Sequence, residues 1–299
     1  MKNLFITTLL ILFAFNLCQS QAWMTSLDIA QKLASVQNKM VLMVWEESTM
    51  SPYPVLVNDN RGVTIIISNL FEDEELSPLI WEHFVPVIVS ENQYADMYKS
   101  IKGKRKQFYI DKFNDDSIKI MDINGRILNS HNTHNDFQNI TTLIKKYSIN
   151  TEFLAQELRD YKSEKNFYSA YFLASKYLDL GLYANRNIRS EIVYVSNIYL
   201  EEALAMIKMS TKEDQQMLAQ RCSLLKIQES LIIKRPQKVI RQLKKMDAEH
   251  IKNNNQSFVA FLYYTAYMCL GESENAMLWK SNISLVNLRK AQMLINLNL

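Results

Sequence analysis

The chain has 299 residues, 48% of them apolar and 22% charged, and its 34 Lys and Arg against 31 Asp and Glu leave a formal net charge of +3. That length permits two domains with cores of their own, and so small a charge excess excludes a dedicated nucleic-acid binder, which needs a strongly basic face. With only 5 Gly and 5 Pro the chain is poor in turn formers, so much helix is expected.

Residues 1–22 read MKNLFITTLLILFAFNLCQSQA. Lys2 precedes an apolar run from Leu4 to Leu17, and Ser20-Gln21-Ala22 puts small residues where a signal peptidase reads. The run is short for a bilayer span, so the segment is expected to be a secretory signal. An uncleaved anchor is one alternative. Lipidation at Cys18 is another, for which Asn16 and Leu17 are poorly suited. Export permits a Cys222–Cys269 disulfide, but both cysteines sit in apolar helical patterns and neither has a CxxC partner, so buried free thiols are expected.

Up to about Ser148, strands alternate with helices. A helix is expected in TSLDIAQKLASVQNK, capped by Thr25 or Ser26, followed by a buried strand in MVLMVWE. Two strands, Val55–Val57 and Val63–Ile67, flank a turn at Asn58–Gly62. FEDEELSPLIWEHF is a helix with acids in its first turn, VPVIVSE a strand, and NQYADMYKSIKG a helix closed by Gly103. KGKRK, Lys102 to Lys106, reads as an exposed loop. DDSIKIMDINGRILNS is a hairpin turning at Asn124-Gly125, and HNDFQNITTLIKKYS a helix capped near Asn135 or Asp136. This order implies a mixed sheet covered on both faces.

The rest reads as paired helices at about 151–164, 166–182, 186–208, 212–233, 236–250, 256–270 and 273–297, the last with a break near Ser284. AYFLASKYLDLGLYA and AFLYYTAYMCLGESENA share a layout of small and aromatic residues, then Leu-Gly. Each resembles one helical hairpin of a tetratricopeptide-type repeat, but the period is not sustained, so a helical-hairpin array without a regular repeat is expected.

Residues 23–148 resemble the thioredoxin-like fold of exported bacterial proteins. The resemblance rests on LDIAQKLASVQNKMVLMVW as the helix entering the first core strand, FEDEELSPLIWEHFVPVIVSE as the next helix and strand, and DSIKIMDINGRIL as the closing hairpin. It covers under half of the chain. It implies a division into a signal (1–22), a thioredoxin-like α/β domain (23–148) and an α-helical domain (149–299), and export to a bacterial envelope, periplasmic or extracellular. In that family a CxxC stands after the first core strand, where the helix dipole lowers a thiol pKa. Here the place is EESTMSPYP, Glu46 to Pro54, with no thiol, and the proline expected near Asp115-Asp116-Ser117 is absent. Thiol–disulfide exchange is therefore not expected.

Other chemistry has thin support. His131 and His134 have an HxxH spacing with Asp136 nearby, which could hold zinc, but the same residues make ordinary turns and caps. Glu46, Glu47, Asp115 and Asp116 are expected to converge at one end of the sheet, as an acid–base pair or as a solvated acidic rim. His83 and His250 fall at helix ends. Glycine-framed serine, phosphate-loop and dinucleotide motifs are missing. In KRPQKVIRQLKK, Lys234, Lys238, Arg241 and Lys245 are spaced four, three, four and form one stripe, opposite Val239, Ile240, Leu243 and Met246. The stripe suits an acidic partner, an acidic lipid surface, or solvent. Tyr168, Tyr171, Tyr177, Tyr183, Tyr263, Tyr264 and Tyr267 either fill the helical core or line a peptide-binding face. Taken together, an exported, redox-inactive scaffold or chaperone-like protein that binds a protein or peptide is expected, with no cofactor, no metal and no nucleic acid. The competing readings are an enzyme using the acidic rim or a His-held metal, and membrane-surface binding through the basic helix.

Overall fold

The computed structural model describes residues 22–131, 138–209, 211–246 and 251–299. Residues 1–21 of the expected signal (1–22), and His134, Asn135, Asp136 and His250, lie outside these residues.

The N-terminal half carries two small sheets. Helix α1 (Leu27–Gln37) starts where Ser26 Oγ accepts from Ile29 N. It leads into β1 (Met40–Trp45), every residue of which is buried. An unbroken apolar run of this kind fits a strand covered on both faces. β2 (Val55–Asn58) and β3 (Thr64–Ile67) form the expected antiparallel pair. α2 (Leu76–His83) follows a turn in which Asp73 Oδ1 accepts from Glu75 N and Leu76 N, and runs into β4 (Phe84–Val89). After α3 (Glu91–Ile101) comes α4 (Gln107–Asn114). The sequence pattern did not indicate α4, because only two turns follow a basic stretch. β5 (Lys119–Met121), β6 (Gln138–Asn139) and α5 (Ile140–Tyr147) complete this half. The cap of α5 is Asn139, whose Oδ1 accepts from Thr142 N at 2.8 Å.

One sheet has the order β4-β1-β5, with β1 parallel to β4 and antiparallel to β5. Met24 bridges Val87 at its far edge, and Met121 bridges Ile127 to close a hairpin. The turn of that hairpin needs Gly125, which adopts φ +78°. The second sheet has the order β3-β2-β6, with β6 parallel to β2. The single mixed sheet expected from the sequence is thus two sheets, because the two residues of β6 pair with β2 and leave the first sheet at three strands.

The C-terminal half is helical: α6 (Ala155–Ser163), α7 (Phe167–Tyr183), α8 (Arg189–Met206), α9 (Lys212–Ile232), α10 (Pro236–Leu243), α11 (Asn253–Cys269), α12 (Ser273–Lys280) and α13 (Leu285–Asn298). The expected break falls at Ser284, which caps α13. Gly181 on α7 lets α9 approach closely, since a Cβ there would lie 2.9 Å from Ile232 Cγ2. Among the described residues, no helix is long and apolar enough to cross a membrane.

One apolar core runs through both halves, and a buried polar network lies where they meet. The closing hairpin supplies Asp122 and Arg126. Asp122 Oδ2 accepts from Tyr177 Oη at 2.8 Å and Tyr199 Oη at 2.6 Å. Its Oδ1 accepts from the backbone N–H groups of Asn124 and Arg126. Arg126 pairs with Glu202 at 2.9 Å, and Glu202 also takes Arg105 and Tyr161 Oη. Tyr147 Oη on α5 reaches Glu191 on α8 at 2.8 Å. KGKRK is therefore only partly the exposed loop its charge suggested: the Arg105 side chain is 4% exposed and is held by Glu202.

Candidate functional site

Three places carry the residues with chemical potential. The first is the C-terminal end of β1 and the segment after it, Glu46 to Pro54. Glu46–Thr49 form a single 3-10 turn there. Trp45 Nε1 donates to Phe113 O at 2.9 Å, and Tyr53 Oη donates to Asp116 O at 2.9 Å, so this turn and the 113–117 segment share one end of the sheet. The carboxylates do not act as a set. Glu46, Glu47 and Asp116 are exposed. Asp115 instead accepts from Ser117 N at 3.0 Å and pairs with Lys119 at 3.3 Å and Lys112 at 3.8 Å.

Those two lysines escaped the sequence reading, yet both are buried. Lys119 sits 5.5 Å from the Trp45 ring centroid and donates to Asp115 O, while Lys112 donates to Ser117 Oγ. Burial pushes the Lys119 ammonium down to about 8 against the opposing pull of Asp115, and lowers Lys112 as well. The available signal was Lys119 between two isoleucines in a strand four residues after an aspartate. A lysine there is buried only when both faces of the sheet are covered, as they are at this strand, and it then needs a nearby carboxylate.

The second place is the histidine pair. Only His131 is described. Its ring packs 4.4 Å from Phe108 and 5.2 Å from Tyr194. Burial, with Lys106 nearby, lowers its pKa. Among the described residues no cluster of three metal-ligating side chains forms. His83 Nδ1 lies 3.0 Å from Ser148 Oγ. Cys222 and Cys269 are free, and burial raises their thiols to about 12 and about 11, so neither is a thiolate at neutral pH.

The third place is the basic stripe. α10 begins with Pro236 at its first turn and buries Val239, Ile240 and Leu243, as the spacing anticipated. Arg241 and Lys245 are exposed. Together with Lys244, Tyr267, Ile240 and Glu272 they line an open groove of about 650 Å³ between α10 and α11. Lys234 lies outside this groove, in the turn before α10 with φ +57°, and Lys238 is half-buried near Glu229. Tyr264, on the same helix as Tyr267, is 8% exposed and belongs to the core. Tyr171 and Tyr177 are buried likewise, whereas Tyr168 and Tyr183 are exposed. The structure thus brings Arg241, Lys245 and Tyr267 together and separates Lys234, Lys238 and Tyr264 from them.

No family model, no curated protein and no solved structure matches this chain.

Proposed function

We propose that this is an exported, redox-inactive binding protein that holds an acidic protein or peptide segment in the groove between α10 and α11. The carrying observation is the composition of that groove: three cations, Arg241, Lys244 and Lys245, against the single carboxylate of Glu272, with Tyr267, Ile240 and Leu270 offering apolar contact. Cations beside an aromatic suit a chain with alternating acidic and apolar side chains. Lys2 and the Leu4–Leu17 run support export. The N-terminal half serves as a folded support of thioredoxin-like design. The strand order β4-β1-β5, with parallel β1 and β4 and an antiparallel closing hairpin, supports that part of the reading. The absence of cysteine from Glu46–Pro54 removes the redox step.

Fluorescence anisotropy with a labelled peptide of alternating Glu and Leu tests the reading. Binding is expected at about 50 mM salt, to weaken strongly by about 300 mM, and to be lost in the Arg241→Glu, Lys245→Glu double variant. No binding at low salt, or binding indifferent to the double variant, would sink it. Tighter binding to phosphatidylserine vesicles than to the peptide would replace the acidic segment with a membrane surface.

A further inference from the structure

Helices α7, α9, α11 and α13 leave a second cavity between them, of about 220 Å³, on elements other than the basic stripe. Arg221 of α9 lies in its wall. The guanidinium sits 5.8 Å from the Tyr171 ring centroid and 5.9 Å from that of Phe258, held between two aromatic side chains. Its Nη1 contacts to Asn254 O and Asn255 Oδ1 are both 3.4 Å, long for N–H···O bonds. Among the described residues no carboxylate pairs with Arg221. Lys290, also in the wall, is already taken by Asp179. Gln228, one helical turn pair further along α9, lines the same cavity and is 1% exposed, and its Nε2 has no hydrogen-bond partner.

A buried amide donor left unpaired costs on the order of 1–3 kcal/mol. A residue carrying such a group, in the same cavity wall as an arginine without a counter-ion, is what an oxyanion site looks like when empty of its ligand's oxygens. The net charge offered is one, since Asp179 cancels Lys290, so a monoanion fits and a phosphate dianion does not. The volume is below the roughly 300–1,000 Å³ of drug-sized pockets. Tyr171, Phe172, Phe258 and Phe261 give an otherwise polar wall an aromatic side, and Phe172, 54% exposed, extends it to the surface. We infer that this cavity binds a carboxylate that carries an aromatic or apolar group, with Arg221 taking the carboxylate in a two-pronged contact and Gln228 donating to one of its oxygens. The source is either a small carboxylic acid or the free C-terminus of a peptide ending in an apolar residue.

Isothermal titration of the purified protein tests this with three probes: 3-phenylpropionate, a peptide ending in Phe with a free carboxylate, and the same peptide as its C-terminal amide. Saturable binding of at least one acid is expected, with the amide at least about tenfold weaker than its acid. A stronger response to the small acid identifies a small-molecule source, and a stronger response to the peptide identifies a chain terminus. Arg221→Gln should abolish binding. Gln228→Met should weaken it about tenfold without lowering the melting temperature, because it removes an unpaired buried donor rather than a bond. No saturation by either acid, equal binding of acid and amide, or full binding by Gln228→Met would overturn the proposal. The acid–amide contrast is read on the unaltered protein, so it stands even where a variant folds poorly. None of these readings depends on Arg241 or Lys245, so this site and the basic groove fail or succeed separately.

Discussion

Two regions of this molecule concentrate charged and aromatic side chains, and they differ in whether those side chains are answered. At the junction of the two halves, Asp122 accepts four hydrogen bonds and Glu202 takes two arginines and a tyrosine. Burial pushes the Glu202 carboxyl up, and Arg126, Tyr161 and Arg105 outweigh it, holding it below the ordinary carboxylate value. In the helical array, by contrast, Gln228 Nε2 is unpaired, and Arg241 and Lys245 face an open groove. At the junction every charged group meets an opposite charge or a hydrogen-bond partner, with Arg105 Nε, Arg126 Nε and Glu191 Oε2 left over, and a network paired to that degree rigidifies and fixes one docking geometry. Cations left over at an open groove, and polar residues left unpaired in a cavity wall, are free to meet something that is not part of the chain. Burial or charge density by itself therefore does not mark a site here; an unanswered residue that lines a cavity or a groove does.

The strongest way to break this comparison is at Asp122. Asp122→Ala would leave the Tyr177 and Tyr199 hydroxyls buried without their acceptor, and a cost of about 3–5 kcal/mol is expected in urea denaturation. Asp122→Asn keeps an oxygen for the two backbone donors and an amide that the tyrosine hydroxyls can accept from, so it should cost only about 1–2 kcal/mol. If the alanine variant lost less than about 1 kcal/mol, the junction would not be what holds the halves together. For the same reason the helical half expressed without the hairpin would carry a bare Tyr177–Tyr199–Glu202 surface, and binding tests belong on the whole chain.

Which parts of this were legible in the sequence follows from the range of the interactions. The Asp-Ile-Asn-Gly turn was readable because its signal is local: a glycine that must take positive φ, and an aspartate bonding to its own turn. That Asp122 also anchors the hairpin to helices was not, since its tyrosine partners lie 55 and 77 residues away. The apolar face of α10, with Val239, Ile240 and Leu243, was readable from its spacing, while of the basic stripe only Lys238 and Arg241 lie on the helix, Lys234 preceding it and Lys245 following it. The stripe's division into a groove-lining pair and two bystanders was not readable, because α10 stops at Leu243 and α11 decides which side of it forms a wall. α4 was obscured by its eight-residue length and by Lys112, a lysine in the buried position of a short helix.

Glu229 sharpens the comparison from between the two extremes. It is 7% exposed, Lys226 lies 3.3 Å from its Oε2, and its Oε1 has no partner. Burial raises its carboxyl to about 7, with Lys226 working against the rise. Between its unfolded value of 4.5 and about 7, the folded chain keeps a proton that the unfolded chain has released. This contribution to stability is therefore complete below 4.5 and is lost as pH rises through about 7. Thermal melts of the original and Glu229→Gln should converge near pH 4 and separate above pH 7, the variant being more stable by on the order of 1–3 kcal/mol. Curves that stay parallel across the window would mean that Glu229 is answered after all.

The smallest expected effect on stability is at the groove, and its smallness is the point. Val239, Ile240 and Leu243 hold α10 to the core, while Arg241 and Lys245 are exposed. Reversing both charges removes no contact that the fold relies on, so stability should change by no more than about 0.5 kcal/mol per site. The Arg105 guanidinium, 4% exposed and paired to Glu202, has no such freedom. Binding lost at Arg241 and Lys245 with stability intact would place the cost of the substitution in the partner's contact alone. A loss above about 1 kcal/mol would mean that these cations, like those at the junction, are spoken for within the chain.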